Sequence, residues 1–288
     1  MYFIWKEKKY FRKNYTNMKN KNNFNFKKIL LTEYSKKNIT ELKKKYLDKN
    51  NYHLIIRNFE KNNKKINSKI IKFSKLLGKP LSQNKLGKKY VIIKPNVKLI
   101  KKKSKNKSIK LRYHQTNSGG AIHSDGPQLS IPPKYVIMAC IKQAEKGGAS
   151  IISSAEKIYI FLKKNNPEIL TILRKKFYFE RRGFNFSKDN TFKKSIFEIN
   201  KRKFCFRYLR EYIEAAYDTK KKKLNSKQIL AFNCLDKLLS QKRFQHKYKL
   251  NKGDLIILNN NFLAHGRSGF KINSISKQQR SFMRVWVR

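Results

Sequence analysis

The sequence predicts a mainly β fold, a sandwich or barrel with helical decoration, on three observations. Short runs rich in β-branched and aromatic residues recur along the chain, from "YHLIIRNF" to "GDLIILNNNF". The closing run, "SKQQRSFMRVWVR", alternates strictly. Only one or two amphipathic helical patterns stand out, and strands and helices do not alternate as a parallel sheet requires.

In chain order, residues 1–26 are Lys, Asn and aromatics without periodicity, expected to form a poorly ordered basic extension. A start codon assigned too early explains them equally well. The domain is expected over 27–288. "NITELKKKYLDKN" has helical spacing at Ile39, Leu42 and Leu47. "YHLIIRNF" reads as a strand. "NSKIIKFSKLLGKPL" opens on an Asn-Ser cap and puts Ile70, Ile71, Phe73, Leu76 and Leu77 on one helical face, ending at Gly78 and Pro80. "KYVIIKP" is a short strand, and the Lys-rich block 97–110 is expected to be a surface loop. "KYVIMACIKQA" and, after a Gly-Gly turn, "ASIISS" are strands. "AEKIYIFLKKNNPEILTILRKK" is helical with a break before Pro167. "FYFERRGFNF", "IFEINKRKFCFRYL" and "GDLIILNNNF" are strands, with the amphipathic helix "SKQILAFNCLDKLLSQ" before the last of them.

The 288 residues carry a formal net charge of +54, which ordinarily points to a nucleic-acid or anionic-membrane partner. The 57 Lys and 29 Asn stand against 14 Arg and 9 Ala, the profile of an A/T-biased coding sequence, and the lysines spread along the whole chain. The charge is therefore read as solvated surface, and no specific nucleic-acid partner is expected. The cysteines at 140, 205 and 234 are odd in number and far apart, without C-x-x-C, which fits a reduced cytosolic protein. No apolar run suits a signal peptide or a membrane span, so a cytoplasmic protein without a membrane partner is expected.

Chemistry concentrates in "AIHSDGPQLSIPPKY", residues 121–135, where lysines stop. His123 and Asp125 are two apart, so on a strand or its extended end both project to one side. Such a pair serves either as two metal ligands awaiting a third or as an ordinary loop hydrogen bond. Of the other histidines, His53 and His246 read as structural or surface groups, whereas His265 follows the strand "GDLIIL". In the last strand Arg280, Phe282, Arg284 and Trp286 share one face, and Ser281, Met283, Val285 and Val287 the other, core-like one. A semi-buried Arg there calls for a carboxylate held by two parallel hydrogen bonds; the alternative is that both arginines face solvent.

The motifs "LIIRNF", "FSKLLGKPL", "HSDGP", "PPKYVIMACIKQAEKGGAS", "FRYLREYI", "GDLIILNNNFLAHGRSGF" and "RSFMRVWVR", in this order from about residue 27 to 288, resemble the taurine dioxygenase-like (TauD/TfdA, clavaminate synthase-like) family of Fe(II)/2-oxoglutarate-dependent oxygenases. The resemblance implies a double-stranded β-helix, or jelly roll. It implies His123, Asp125 and His265 as iron ligands. Arg280, 15 residues after His265, would hold the far carboxylate of 2-oxoglutarate, with Ser150 standing where relatives often carry Thr. Arg284 matches a second arginine near cosubstrate or substrate. The implied activity is hydroxylation of an unactivated C–H in a small, amino-acid-like or specialised-metabolite substrate, consuming O2 and 2-oxoglutarate and releasing succinate and CO2. An ammonium beside the iron would repel it, which accounts for the lysine-free segment. Arg207 and Arg210 either hold a substrate carboxylate or pair with Glu211 or Glu214. Two rivals are a nucleic-acid-acting oxygenase of the same superfamily and a non-catalytic basic jelly-roll binding protein.

Overall fold

A computed structural model describes residues 28–29, 36–49, 52–84, 86–106, 115–182, 190–200, 203–272 and 279–288. The basic extension expected at 1–26 lies outside them. The N-terminal part runs β1 (Lys28–Ile29), α1 (Lys36–Leu42, prolonged by a π-turn over Lys43–Leu47), β2 (His53–Ile56), α2 (Ile66–Leu77), β3 (Tyr90–Ile93), α3 (Val97–Lys105) and β4 (Gly120–His123). The middle runs β5 (Tyr135–Lys142), β6 (Ser150–Ser154), α4 (Ala155–Asn165), α5 (Pro167–Leu173) and the hairpin strands β7 (Lys176–Glu180), β8 (Thr191–Ser195), β9 (Phe197–Asn200) and β10 (Lys203–Phe206). The rest is α6 (Arg210–Thr219), α7 (Ser226–Ser240), β11 (Gln245–Tyr248), β12 (Leu255–Asn259), β13 (Leu263–Arg267) and β14 (Ser281–Val287).

A six-stranded sheet, β1-β2-β12-β5-β14-β3, faces a four-stranded one, β11-β6-β13-β4. Apart from the parallel β1–β2 pair, the ladders are antiparallel. The larger sheet is buried on both faces, which is why β2, β5 and β12 read as continuous apolar runs. Its outer face packs Ile137, Leu255, Met283 and Val285 against Ile66, Ile70, Phe73 and Leu77 of α2. Each such side chain contributes about 1.5–3 kcal/mol of burial. Its inner face packs Val136, Ile256, Phe282 and Trp286 against Ile152 and Leu263 of the smaller sheet. The two faces predicted for β14 are thus separated as the alternation requires. Helices α4, α5 and α7, with the two hairpins, form a third cluster behind the smaller sheet.

Three expectations need correction. Residues 97–105 form a helix, not a loop: Asn96 caps it by accepting from the Leu99 N–H, and the lysines that hid its periodicity are good helix formers on a solvated face. The strand read into "FRYL" ends at Phe206, and α6 begins at Arg210, burying Ile213, Ala216 and Tyr217. Helix α2 starts at Ile66, one residue ahead of the expected Asn-Ser cap, and has no side-chain cap. In all, seven α-helices decorate the sheets among the described residues, more than the pattern suggested.

Candidate active site

His123 ends β4 and His265 lies in β13, and the two are direct partners in the antiparallel register. Their ring centroids are 4.8 Å apart. Asp125 follows two residues after His123, where Gly126 at φ 67° turns the chain; a Cβ there would collide with the Pro133 ring. One potential ligand atom from each of His123, Asp125 and His265 falls within 4.8 Å of the others. His123 Nε2 stands 3.9 Å from Asp125 Oδ1, and His265 Nε2 stands 3.6 Å from Oδ2.

The tautomers suit a metal. His123 Nδ1–H donates to the Ala121 carbonyl at 2.9 Å, which leaves the Nε2 lone pair facing Asp125. Burial pushes the His265 imidazole down to about 3 against the upward pull of Asp125, so the ring is neutral. Its buried Nδ1 has no hydrogen-bond partner among the described residues. Burial alone would raise the Asp125 carboxyl; the Arg284 guanidinium, then the two imidazoles and the Trp286 indole, overcome it and hold the pKa below its usual value. Arg284 Nη1 donates to Oδ1 at 2.7 Å and Trp286 Nε1 to Oδ2 at 3.0 Å. Two imidazoles and one carboxylate, mutually in reach and buried, match the donor set of a divalent metal with open positions.

A second layer fixes Asp125 through its backbone. Asn260 accepts from the Asp125 N–H at 2.8 Å and donates to the carbonyls of Asp125 at 2.9 Å and Pro133 at 3.0 Å. Because Asn260 sits in the turn between β12 and β13, it ties the Asp125 loop to the strand that carries His265. Ser124 and Tyr208 exchange two hydrogen bonds of 2.9 Å.

Arg280 and Ser150, both buried, line the same cavity as the triad, which has a volume of about 950 Å³. Arg280 Nε donates to Gln143 Oε1 and to the Gly148 carbonyl, each at 3.2 Å, and its guanidinium lies 4.1 Å from the Phe282 ring centroid. Gly148, at φ 73°, brings its backbone against that side chain. Arg284 also lines the cavity, but its first partner is Asp125, and Nε donates to Gln83 Oε1 at 2.9 Å. Neither Arg280, directly before β14, nor Arg284 within it faces bulk solvent.

The two remaining candidates do not point into the cavity. Arg207 is buried, and its guanidinium donates to the carbonyls of Pro127, Leu129 and Ser130, so it clamps the loop after Asp125 instead of a substrate. Arg210 pairs with Glu214 at 2.7 Å and Asp236 at 2.8 Å, the alternative the sequence also offered. His53 is structural, bonded to the Tyr248 hydroxyl at 2.9 Å. The sequence reading missed Asn260, the bond from Trp286 to Asp125, and Arg267, which lines the cavity and donates to the Thr116 and Ser118 carbonyls. It also missed the far wall, where α6 presents Glu211, Tyr212, Glu214 and Asp218 beside Glu180 and Arg182.

Two solved structures share this fold: an asparagine oxygenase with Fe(II), 2S,3S-3-hydroxyasparagine and succinate (TM-score 0.65, 12% identity, 88% of this chain, 78% of that chain), and the non-heme iron oxygenase OrfP with Fe and alpha-ketoglutaric acid (TM-score 0.60, 15% identity, 88% and 78%). In sequence, the chain is 24% identical over 217 residues to FR-33289 synthase of Streptomyces rubellomurinus, covering 73% of this chain and 60% of that protein. It is 28% identical over 155 residues to human gamma-butyrobetaine dioxygenase, covering 52% and 40%. The chain thus matches less than two thirds of the length of either relative. The family model described as "Taurine catabolism dioxygenase TauD, TfdA family" matches residues 35–286, nearly the whole of the domain just described, and the chain belongs to that family.

Proposed function

We propose that this protein is an Fe(II)- and 2-oxoglutarate-dependent oxygenase that hydroxylates an unactivated C–H of a small molecule. The observation that carries the reading is the convergence of His123, Asp125 and His265 within 4.8 Å, two of them paired across strands of one sheet. The Nε2 atoms of both histidines and a carboxylate oxygen of Asp125 would hold the iron. With 2-oxoglutarate and O2, the metal supplies the oxidising power for hydroxylation, with succinate and CO2 as coproducts.

The chain's own residues do the positioning. Arg284 and Trp286 keep Asp125 ionised and fix its plane, so the carboxylate is oriented before any metal arrives. Arg280, between Phe270 and Phe282, offers a guanidinium in a partly dry pocket, suited to the C5 carboxylate of 2-oxoglutarate, with the Ser150 hydroxyl nearby. Met138, Phe282 and Trp286 line the cavity among these polar groups and exclude water from them. The hydroxylated amino acid bound to the asparagine oxygenase supports a small, amino-acid-like substrate here.

Anaerobic titration with Fe(II) and 2-oxoglutarate tests the proposal. A weak visible charge-transfer band, saturating at one equivalent of each, is expected in the native protein and is lost in His265→Ala. Absence of the band in the native protein rejects the reading.

A further inference from the structure

Strand β14 runs antiparallel to β5, and the register slips by one residue just where Arg280 approaches. From the Val287–Tyr135 pair to the Phe282–Cys140 pair the ladder steps evenly, but Ser281 then faces Lys142 and Ile141 is passed over. An extra residue on one strand re-aims the side chains beyond it. In an even ladder Arg280 would stand opposite Lys142, cation against cation. After the slip the side chain that reaches it is Gln143, whose Oε1 accepts from Arg280 Nε at 3.2 Å.

The Gln143 amide is fixed at both ends. Its Nε2 donates to the Leu250 carbonyl at 2.8 Å, and its Oε1 also accepts from the Ala144 N–H at 2.9 Å. Turned over, the amide would set its donors against N–H groups and its oxygen against a carbonyl, so the oxygen faces Arg280. The Gly148 carbonyl is a second acceptor for the same Nε–H, also at 3.2 Å. Gly148 stands at φ 73°, and a Cβ there would come within 3.0 Å of Arg280 Nε and 3.1 Å of Gln143 Oε1. The guanidinium lies 4.1 Å from the Phe282 ring centroid and 5.7 Å from that of Phe270. Separate groups therefore hold its edge and its faces. Both acceptors on the edge are neutral. A carboxylate in place of Gln143 would offset the charge that a carboxylate ligand needs, whereas an amide orients the guanidinium and leaves that charge whole. Arg280 lines the cavity and Gln143 does not, so any effect of Gln143 on a ligand passes through Arg280.

We propose that Gln143 is a positioning residue for the cosubstrate. Through the Nε–H of Arg280 it fixes the plane in which the guanidinium meets the C5 carboxylate of 2-oxoglutarate, without touching the ligand itself. This inference rests on the oxygenase reading above and adds to it the residue that aims Arg280. A fork oriented in advance saves the ordering that binding would otherwise require, so its loss weakens the cosubstrate and not the metal.

The test is a double-mutant cycle on the full-length protein loaded anaerobically with Fe(II), with 2-oxoglutarate titrated through the charge-transfer band. Gln143→Met keeps the volume of the side chain and removes the acceptor. It should weaken 2-oxoglutarate binding about tenfold and leave Fe(II) affinity within about twofold of native. Arg280→Lys puts a methylene where Nε stands. In that background Gln143→Met should add less than about a twofold change, because the bond it removes is already gone. A role confined to the scaffold would lower affinity equally in both backgrounds. Gln143→Asn, whose amide falls short by one methylene, should repeat the loss and serves in place of Gln143→Met if that variant does not fold. If the native protein gives no band, the oxygenase reading itself fails. If the band forms, native-like 2-oxoglutarate affinity in the Gln143 variants, an equal loss in both backgrounds, or a parallel loss of Fe(II) affinity overturns the positioning role alone.

Discussion

The floor and the outer wall of the cavity are built by different means. The floor stands on β4, β13 and β14: the side chains of Asp125, His265 and Arg284 are 5%, 8% and 15% exposed, and Asp125 is held by Arg284, Trp286 and Asn260 at once. The outer wall is one ten-residue helix whose acids reach solvent, tied down by Arg210. Two strands in register place His123 and His265 without help from long side chains; nothing comparable fixes Glu211. The contrast teaches a division of labour. Groups that must be placed to fractions of an ångström stand on paired strands, while a helix with exposed side chains only closes the rim of the cavity. Substitutions at the floor should therefore disturb both chemistry and stability, and those at the wall much less.

The largest effects are expected at the triad. His123→Ala, Asp125→Ala and His265→Ala should each reduce 2-oxoglutarate turnover to background. The metal-free proteins should differ from one another. Asp125→Ala strands the Arg284 guanidinium and the Trp286 N–H in a buried site, a loss of roughly 3–5 kcal/mol. His265→Ala removes a ring whose Nδ1 has no partner among the described residues and should cost less. Chemical denaturation of the metal-free variants reads the difference. A larger loss for His265→Ala would mean that Asp125 is not the keystone of the floor.

Next come Arg280 and Arg284, at the start of β14 and within it. Arg280→Lys keeps a charge but loses the planar fork, which should weaken 2-oxoglutarate binding by about 2–4 kcal/mol, or roughly 30- to 1,000-fold, with iron affinity little changed. Arg284→Lys should act on the metal first, because Arg284 donates to Asp125 at 2.7 Å. Loss of such a supporting bond weakens iron by roughly 10- to 100-fold. Titrating each ligand separately tells the two apart. A pure cosubstrate defect in Arg284→Lys would restore the role that the sequence first suggested for it.

How much of this was legible depended on whether a pattern was local. The His123–Asp125 spacing, the two faces of β14 and the helix ahead of Gly78 are each decided within a dozen residues, and the structure follows them. The pairing of His123 with His265 joins positions 142 apart, so only the family resemblance could suggest it. Helix α3 was missed because its apolar positions are diluted by lysine, and α6 because "FRYL" continues a β-rich run right up to the residue before its start. Asn260 stands in a row of three in a sequence with 29 Asn, and no local signal marks the one whose amide holds the Asp125 loop. Arg207 misled for a related reason. Its partners are backbone carbonyls about 80 residues away, and a sequence shows a cation without showing that carbonyls can satisfy it.

The smallest effects separate two neighbouring arginines that sequence alone treats alike. Arg207 belongs to the floor: it is buried, it lies over the rings of Phe179 and Phe192, and it closes the carbonyls of the loop that follows Asp125. Burial lowers its pKa, yet guanidinium remains the charged form throughout the working range. Arg207→Met fills the volume without donating, so buried carbonyls lose their partners at a cost of about 1–3 kcal/mol. Iron affinity should fall with it, because the loop positions Asp125, and Arg207→Lys should recover part of both. Arg210 belongs to the wall. Its bonds to Glu214 and Asp236 are partly exposed, and pairs of that kind contribute about 0–1 kcal/mol. Arg210→Ala should leave iron and cosubstrate binding intact and move the denaturation midpoint only slightly. Matched losses of stability and iron affinity at both positions would show that wall and floor form one cooperative unit, and the division drawn between them would have to be given up.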